Sequence, residues 1–191
     1  NELIIKNQNK IDNCCVLTNY HKKILKLKGF KNKISLYHNY VFKDIKNITY
    51  TPKNKFKNAV CFVGRLSREK NVKLLIQSFI EFQKIKKDMK LYIIGGGDSY
   101  EIENDNIIFT GMISFEEVCK YLSMCDYTIS ASLTEGKPFS VLEGMNLGLP
   151  CIHSNLIGID DVIKEDKTGF LFDFQGYDEI KYDFNLNFSN V

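Results

Sequence analysis

No stretch of this chain approaches the roughly 18 consecutive apolar residues of a membrane span. Its start, Asn1-Glu2-Leu3-Ile4-Ile5-Lys6, has neither the charged flank nor the apolar core of a signal peptide, and no initiator Met. These absences predict a cytoplasmic location and a piece of a longer chain. Six cysteines are present, yet none forms a Cys-x-x-Cys pair and no His stands at zinc spacing, so metal and disulfide frameworks are not signalled. Cys61 and Cys151 lie in apolar runs, where a thiol acts as a small hydrophobe. There is no Gly-x-x-x-x-Gly-Lys-Ser/Thr phosphate loop and no Gly-x-Ser-x-Gly elbow. Gly95-Gly96-Gly97-Asp98 has Tyr100 where the third glycine of a dinucleotide fingerprint belongs. That argues against a nicotinamide dehydrogenase and for a tight turn. His21, His38 and His153 share no motif and read as structural or surface residues.

With 191 residues, the chain is one domain, or one domain and a fragment. Its hydrophobic share of 44% and charged share of 26% are those of an ordinary globular protein. The net charge of +3 hides a split. Residues 1–57 carry 13 Lys and 3 acids, a net of +10, whereas residues 58–191 carry 13 Lys or Arg and 20 acids, a net of −7. Such asymmetry suggests two pieces with different origins or partners.

From residue 59 onward, short apolar runs alternate with helical patterns. The runs are Ala59 to Val63, Leu91 to Ile94, Ile107 to Thr110, Tyr127 to Ser130, Pro150 to His153 and Gly169 to Phe172. Continuous apolar strands suggest a parallel sheet buried on both faces. Between them, Asn71 is placed to cap a helix carrying Leu74, Leu75, Phe79, Phe82 and Ile85. Ser114-Phe115-Glu116-Glu117 reads as a capping box, and Phe139 to Leu147 as a helix stopped by Gly148-Leu149-Pro150. The alternation predicts an α/β, doubly wound parallel sheet. The first 57 residues hold a strand ending at Val16-Leu17-Thr18, a Lys-rich helix from Tyr20 to Lys28, and a strand Ile34 to Tyr37 running into His38-Asn39. The region 44–57 reads as a linker.

Ligands of such sheets bind beyond the carboxyl ends of the strands, so the post-strand residues matter most. After the first run comes Gly64-Arg65-Leu66-Ser67-Arg68-Glu69-Lys70. Gly64 allows a close backbone approach, and Arg65 and Lys70 are placed to clamp a diphosphate, Arg as a fork and Lys as a point charge. Taken alone, these residues fit a solvated turn better than a phosphate clamp. After the fourth run comes Thr134-Glu135-Gly136-Lys137-Pro138-Phe139-Ser140-Val141-Leu142-Glu143. The turn exposes backbone N–H groups at a helix start, an anion site. Glu143 then lies about one turn into the helix, suited to a ribose hydroxyl pair. Glu135 suits a sugar hydroxyl or developing positive charge. Spacing alone fits an acidic helix start as well.

Taken in order, these pieces resemble the donor half of retaining GT-B glycosyltransferases of the family 4 type. The resemblance rests on Phe62-Val63-Gly64-Arg65-Leu66 with Lys70, Ile93-Ile94-Gly95-Gly96-Gly97 and Phe109-Thr110-Gly111. It continues through the Glu135-x7-Glu143 spacing, Gly148-Leu149-Pro150 and Lys167-Thr168-Gly169-Phe170-Leu171. It covers residues 59–172 and implies the Rossmann-like C-terminal half of a GT-B fold. It further implies that Arg65 and Lys70, after Gly64, hold the donor diphosphate. Glu143 binds the ribose and Glu135 the transferred sugar. Ser140, Val141 and Leu142 offer main-chain N–H groups, and Met112 and Ile113 flank the base. Gly158-Ile159-Asp160-Asp161 departs from the family's Gly-Ile-Pro-Glu and is given no role. The implied organisation is the end of an acceptor-side domain over residues 1–43, a linker over 44–57 and a donor domain over 58–191.

The implied reaction is retaining transfer of a hexosyl group from a nucleotide diphosphate sugar to a glycan or lipid-linked acceptor. Arg65, Lys70 and helix N–H groups, with no metal ion and no separate cofactor, would stabilise the leaving group. Region 59–172 has no Asp-x-Asp motif. No residue offers itself as a nucleophile, which favours front-face transfer. A non-catalytic nucleotide-sugar binding fragment and a GT-B epimerase or phosphorylase relative stay open as alternatives. Nucleic acid is not an expected partner. The Lys-rich segment 20–33 fits either a solvated helix face or peripheral contact with an anionic membrane.

Overall fold

The computed structural model describes residues 2–37, 39 and 56–174. Most of the expected linker, His38 and the chain after Phe174 lie outside the described residues. The described part contains a small βαβ unit followed by a six-stranded parallel sheet.

The small unit opens with the short helix α1 (Glu2–Lys6), then β1 (Asn13–Val16), α2 (Asn19–Leu27) and β2 (Lys33–Leu36). Strands β1 and β2 pair in parallel, and Val16, Leu25 and Phe30 form their own core. Thr18 stands at the N-cap of α2 and accepts a hydrogen bond from the His21 N–H. The strand therefore ends earlier than its sequence suggests, because Thr18 serves as a cap.

The larger sheet comprises β3 (Ala59–Val63), β4 (Lys90–Ile94), β5 (Ile107–Gly111), β6 (Tyr127–Ser130), β7 (Cys151–Ser154) and β8 (Gly169–Phe172). All neighbours are parallel, in the order β5-β4-β3-β6-β7-β8. Helices α3 (Val72–Gln83), α4 (Phe115–Met124) and α5 (Phe139–Asn146) join β3 to β4, β5 to β6 and β6 to β7. Strand alternation sends Val60, Phe62, Leu91 and Ile93 to the face covered by Val72, Leu75, Ile76 and Phe79 of α3. Ala59, Cys61, Tyr92 and Ile94 face the opposite layer, which includes Leu122 of α4. This is the doubly wound arrangement that the apolar runs predict, with both faces of β3 and β4 buried.

Two local expectations meet different outcomes. Ser114 and Glu117 form the full capping box at the start of α4. Asn71 does occupy the N-cap of α3, but with φ 51° and ψ 40° and no side-chain cap bond. It turns the chain in the left-handed region, which Asn tolerates, and does not cap through its amide.

The triglycine is a packing device. A Cβ on Gly95 would lie 1.9 Å from the Gly64 carbonyl oxygen, and one on Gly97 2.2 Å from that of Leu66. The loop after β3 thus lies against the loop after β4, backbone on backbone, held by Gly64 N–H to Ile94 O at 3.0 Å and Leu66 N–H to Gly96 O at 2.8 Å.

Candidate active site at the sheet's switch point

Counted from β3, the strand order is 3-2-1-4-5-6. The chain winds outward through β4 and β5, returns beside β3 as β6, and winds out the other way. The crevice between the carboxyl ends of β3 and β6 is the topological switch point, where sheets of this class bind ligands. Both charged constellations read from the sequence hang from these two strands.

Lys70 closes the turn after β3, and Glu135 lies in the loop after β6. Lys70 Nζ donates to Glu135 Oε1 at 2.6 Å, and the side chains are only 21% and 11% exposed. The pair spans the switch point. Leu133 N–H bonds the Glu69 carbonyl at 2.8 Å, which staples the two loops together. Ser132 Oγ also donates to Glu135 Oε1, at 2.7 Å. Neither Ser132 nor the Lys70–Glu135 pairing was singled out by sequence. The one available signal was Ser130 and Ser132 at alternate positions of a strand end, before the acidic loop.

Arg65, immediately after Gly64, stays at the surface. Its side chain is 76% exposed and pairs with Glu69 at 3.5 Å, a weak exposed contact that leaves the guanidinium free to reorient. The structure does not bring Arg65 against Glu135.

Helix α5 starts at Phe139 with Pro138 at its N-cap, and no side chain caps it. The N–H groups of Phe139, Ser140 and Val141 belong to its first turn and have no acceptor within the helix. Leu142 differs from the sequence expectation: its N–H already bonds the Pro138 carbonyl at 3.3 Å. Phe139, Ser140 and Val141 thus supply the first-turn N–H groups of α5 that have no acceptor within the helix. Glu143 sits a turn further along, half-buried, and burial raises its pKa above the ordinary carboxyl value. At the end of β5, Gly111 takes φ 68°, and Met112 is 83% exposed. Met112 leans over Gly96, where a Cβ would meet its Cγ at 2.8 Å. Ile113 instead turns toward the apolar cluster containing Leu122.

Beneath the pair lies a buried polar layer of Ser130, Ser132, His153 and Ser154. Burial lowers the His153 pKa, so its neutral form is favoured. Away from the switch point, the small βαβ unit docks through Asp161. Its carboxylate accepts from the Asn19 N–H at 2.8 Å and from Asn19 Nδ2 at 3.2 Å. The main-chain bond holds the Asp161 pKa below its ordinary value. An open recess of about 540 Å³ borders this contact, lined in part by Tyr20, Lys23, Ile157 and Asp160.

The sheet order, the crevice pair and the uncapped helix start define a doubly wound domain of the kind found in GT-B glycosyltransferases. The sequence pattern of the family described as glycosyl transferases group 1 matches residues 44–186. The chain belongs to that family of transferases. It is 31% identical over 141 residues to an uncharacterized glycosyltransferase of Methanocaldococcus jannaschii, covering 68% of this chain and 36% of that protein. It is 30% identical over 120 residues to the alpha-monoglucosyldiacylglycerol synthase of Streptococcus pneumoniae, covering 58% and 27%. The crystal structure of the pneumococcal O-GlcNAc transferase GtfA in complex with UDP and GlcNAc superposes with a TM-score of 0.78 at 20% identity. That match covers 93% of this chain and 37% of the other. The chain thus spans about a third of the length of the curated relatives it matches. No helix among the described residues is long and apolar enough to cross a membrane.

Proposed function

We propose that this chain is the donor-binding part of a retaining glycosyltransferase of the family 4 type. It would move a hexosyl group from a nucleotide diphosphate sugar to a glycan or lipid-linked acceptor. One observation carries the reading. Lys70 and Glu135 meet across the switch point, on the two strands that flank the crevice. The similar pneumococcal structure, with UDP and GlcNAc, supports a nucleotide-sugar donor. The name of the streptococcal relative supports a lipid-linked acceptor.

The chemistry follows from the residues. Departure of the diphosphate builds negative charge on the leaving oxygen. Lys70 gives one of its three N–H donors to Glu135 and keeps two for phosphate. The first-turn N–H groups of α5 add a fixed positive end, and the exposed Arg65 adds a planar fork. Lys70 and the helix N–H groups need little reorganisation as charge develops, whereas Arg65 must turn in from the surface. Glu135, a carboxylate beside the transferred sugar, stabilises the positive charge growing on the anomeric centre. Glu143 accepts from the ribose hydroxyls, and Met112 and the main chain at Ile113 flank the base. Retention by front-face transfer requires no protein nucleophile. Leaving-group stabilisation is assigned to these groups, with no metal ion.

The chain's coverage of only 36% and 27% of its relatives favours a second reading, a binding module that holds the donor without transferring it. Helix α2, with Lys23 and Lys26 at the surface and Leu27 72% exposed, is the element that would meet an anionic membrane from the cytoplasmic side. Incubating the chain with UDP-glucose, UDP-galactose or UDP-N-acetylglucosamine and a glycan acceptor separates the two main readings. Transfer with an α-linked product, read by proton NMR, is expected. A β-linked product refutes retention. Donor binding without transfer or hydrolysis favours the binding module.

A further inference from the structure

The polar layer under Glu135 has a direction. Ser132 Oγ has one proton, and it goes to Glu135 Oε1 at 2.7 Å, because an ionised carboxylate only accepts. Ser130 Oγ, 2.9 Å from Ser132 Oγ, must therefore be the donor of that contact. Ser154 Oγ lies 2.6 Å from the Ser132 carbonyl, which only accepts, so Ser154 donates there. His153 Nδ1 lies 2.8 Å from the Ser154 carbonyl, which assigns the ring proton to Nδ1. Every proton in the chain from His153 through Ser154, and from Ser130 through Ser132, is committed. Two donors, Ser132 and Lys70, converge on Oε1 alone.

Among the described residues, no donor is directed at Oε2. Ser132 is fully buried, and so is the Ser154 that holds its main chain. A hydroxyl in that place has no packing advantage over a methyl group. Its effect is to fix one oxygen of Glu135 and with it the carboxylate plane.

We propose that Ser132 is a positioning residue: its hydroxyl, anchored through Ser130 and Ser154, locks Glu135 Oε1 so that Oε2 is presented to a hydroxyl of the donor's sugar. This rests on the reading that Glu135 faces the transferred sugar. It adds a determinant of sugar binding that makes no contact with the sugar itself. The nucleotide half of the donor meets Arg65, Lys70, Glu143 and α5 but not Ser132, so the sugar half responds more strongly than the nucleotide half.

The test is calorimetric titration of the 191-residue chain with UDP and, separately, with UDP-glucose, UDP-galactose and UDP-N-acetylglucosamine. Ser132→Ala should weaken the UDP-sugar that wild type binds best roughly tenfold more than it weakens UDP, the size expected for one lost hydrogen bond to a charged group. In a Glu135→Gln background, Ser132→Ala should add little further loss. If Ser132→Ala fails to fold, Ser132→Cys keeps the volume with a weaker donor and should show the same preference at reduced size. Equal weakening of UDP and UDP-sugar overturns the proposal, as does an undiminished effect in the Glu135→Gln background. Wild-type chain that binds UDP but no UDP-sugar also overturns it. If wild type binds neither UDP nor any of the three UDP-sugars, the proposed function falls instead, and this proposal with it.

Discussion

Replacing Lys70 with Met keeps the length of the stem and removes the charge. Glu135 then retains Ser132 as a donor but loses its cation in a site where it is only 11% exposed. Exposed ion pairs contribute up to about 1 kcal/mol, whereas stripping one partner from a buried pair costs about 3–5 kcal/mol. This pair stands between those limits, and Ser132 softens the loss, so a cost of about 2 kcal/mol is expected. For a chain of this size that lowers Tm by roughly 6 °C. The Lys70–Glu135 pairing makes a stronger demand on the double variant. Glu135→Gln removes the charge that Lys70 answers, so adding Lys70→Met to it should cost little. Urea and thermal unfolding of wild type, both single variants and the double variant give the coupling, expected at about 2 kcal/mol. High salt should reduce that coupling only modestly, because a partly buried pair is poorly screened. Costs that add within about 0.5 kcal/mol would refute the pairing argument. So would a Lys70→Met variant that unfolds with wild type.

Four further outcomes follow from the same structure. Burial raises the Glu143 pKa, so its ionisation costs stability as pH rises from the ordinary carboxyl range, about 4, through the folded-state value. Glu143→Gln should therefore raise Tm at pH 7, lose that gain near pH 4, and weaken UDP binding roughly tenfold by calorimetry. Gly95→Ala places a Cβ 1.9 Å from a backbone oxygen and should abolish cooperative unfolding, seen by circular dichroism. Gly148→Ala, with φ 83° but nothing within 4 Å, should cost only about 1 kcal/mol. Asp161 has a depressed pKa, so its bond to Asn19 is complete above the ordinary Asp range and is lost as pH falls through the folded value. Asp161→Ala should speed hydrogen exchange of the Asn19 amide roughly tenfold at neutral pH, and an unchanged rate would remove the latch between the two units.

Strands β3 and β4 were legible because a strand buried on both faces must be apolar at nearly every position; the other four were legible as short runs of strand-forming residues between helical segments. The capping box at Ser114 was legible for a similar reason: its two partners are three residues apart. Lys70 and Glu135 are 65 residues apart, and Asn19 and Asp161 are 142 apart. No local period encodes such pairs, which the strand order alone creates. Asn71 shows the converse limit. Its position at a helix start was readable, but the left-handed turn that displaced its capping bond depends on how the loop after β3 meets the rest of the sheet. The triglycine was readable as a turn, while the backbone approach that requires it became visible only with β3 and β4 side by side.

On the proposed function, the crevice between β3 and β6 binds the diphosphate of a nucleotide sugar through Arg65 and Lys70. Calorimetric titration of UDP into wild type and into the Arg65→Ala, Lys70→Ala double variant tests it most directly. Saturable one-to-one binding by wild type, weakened at least about a hundredfold in a folded double variant, is the expected result for two lost charge-assisted contacts. Equal UDP affinity in the two proteins would contradict it.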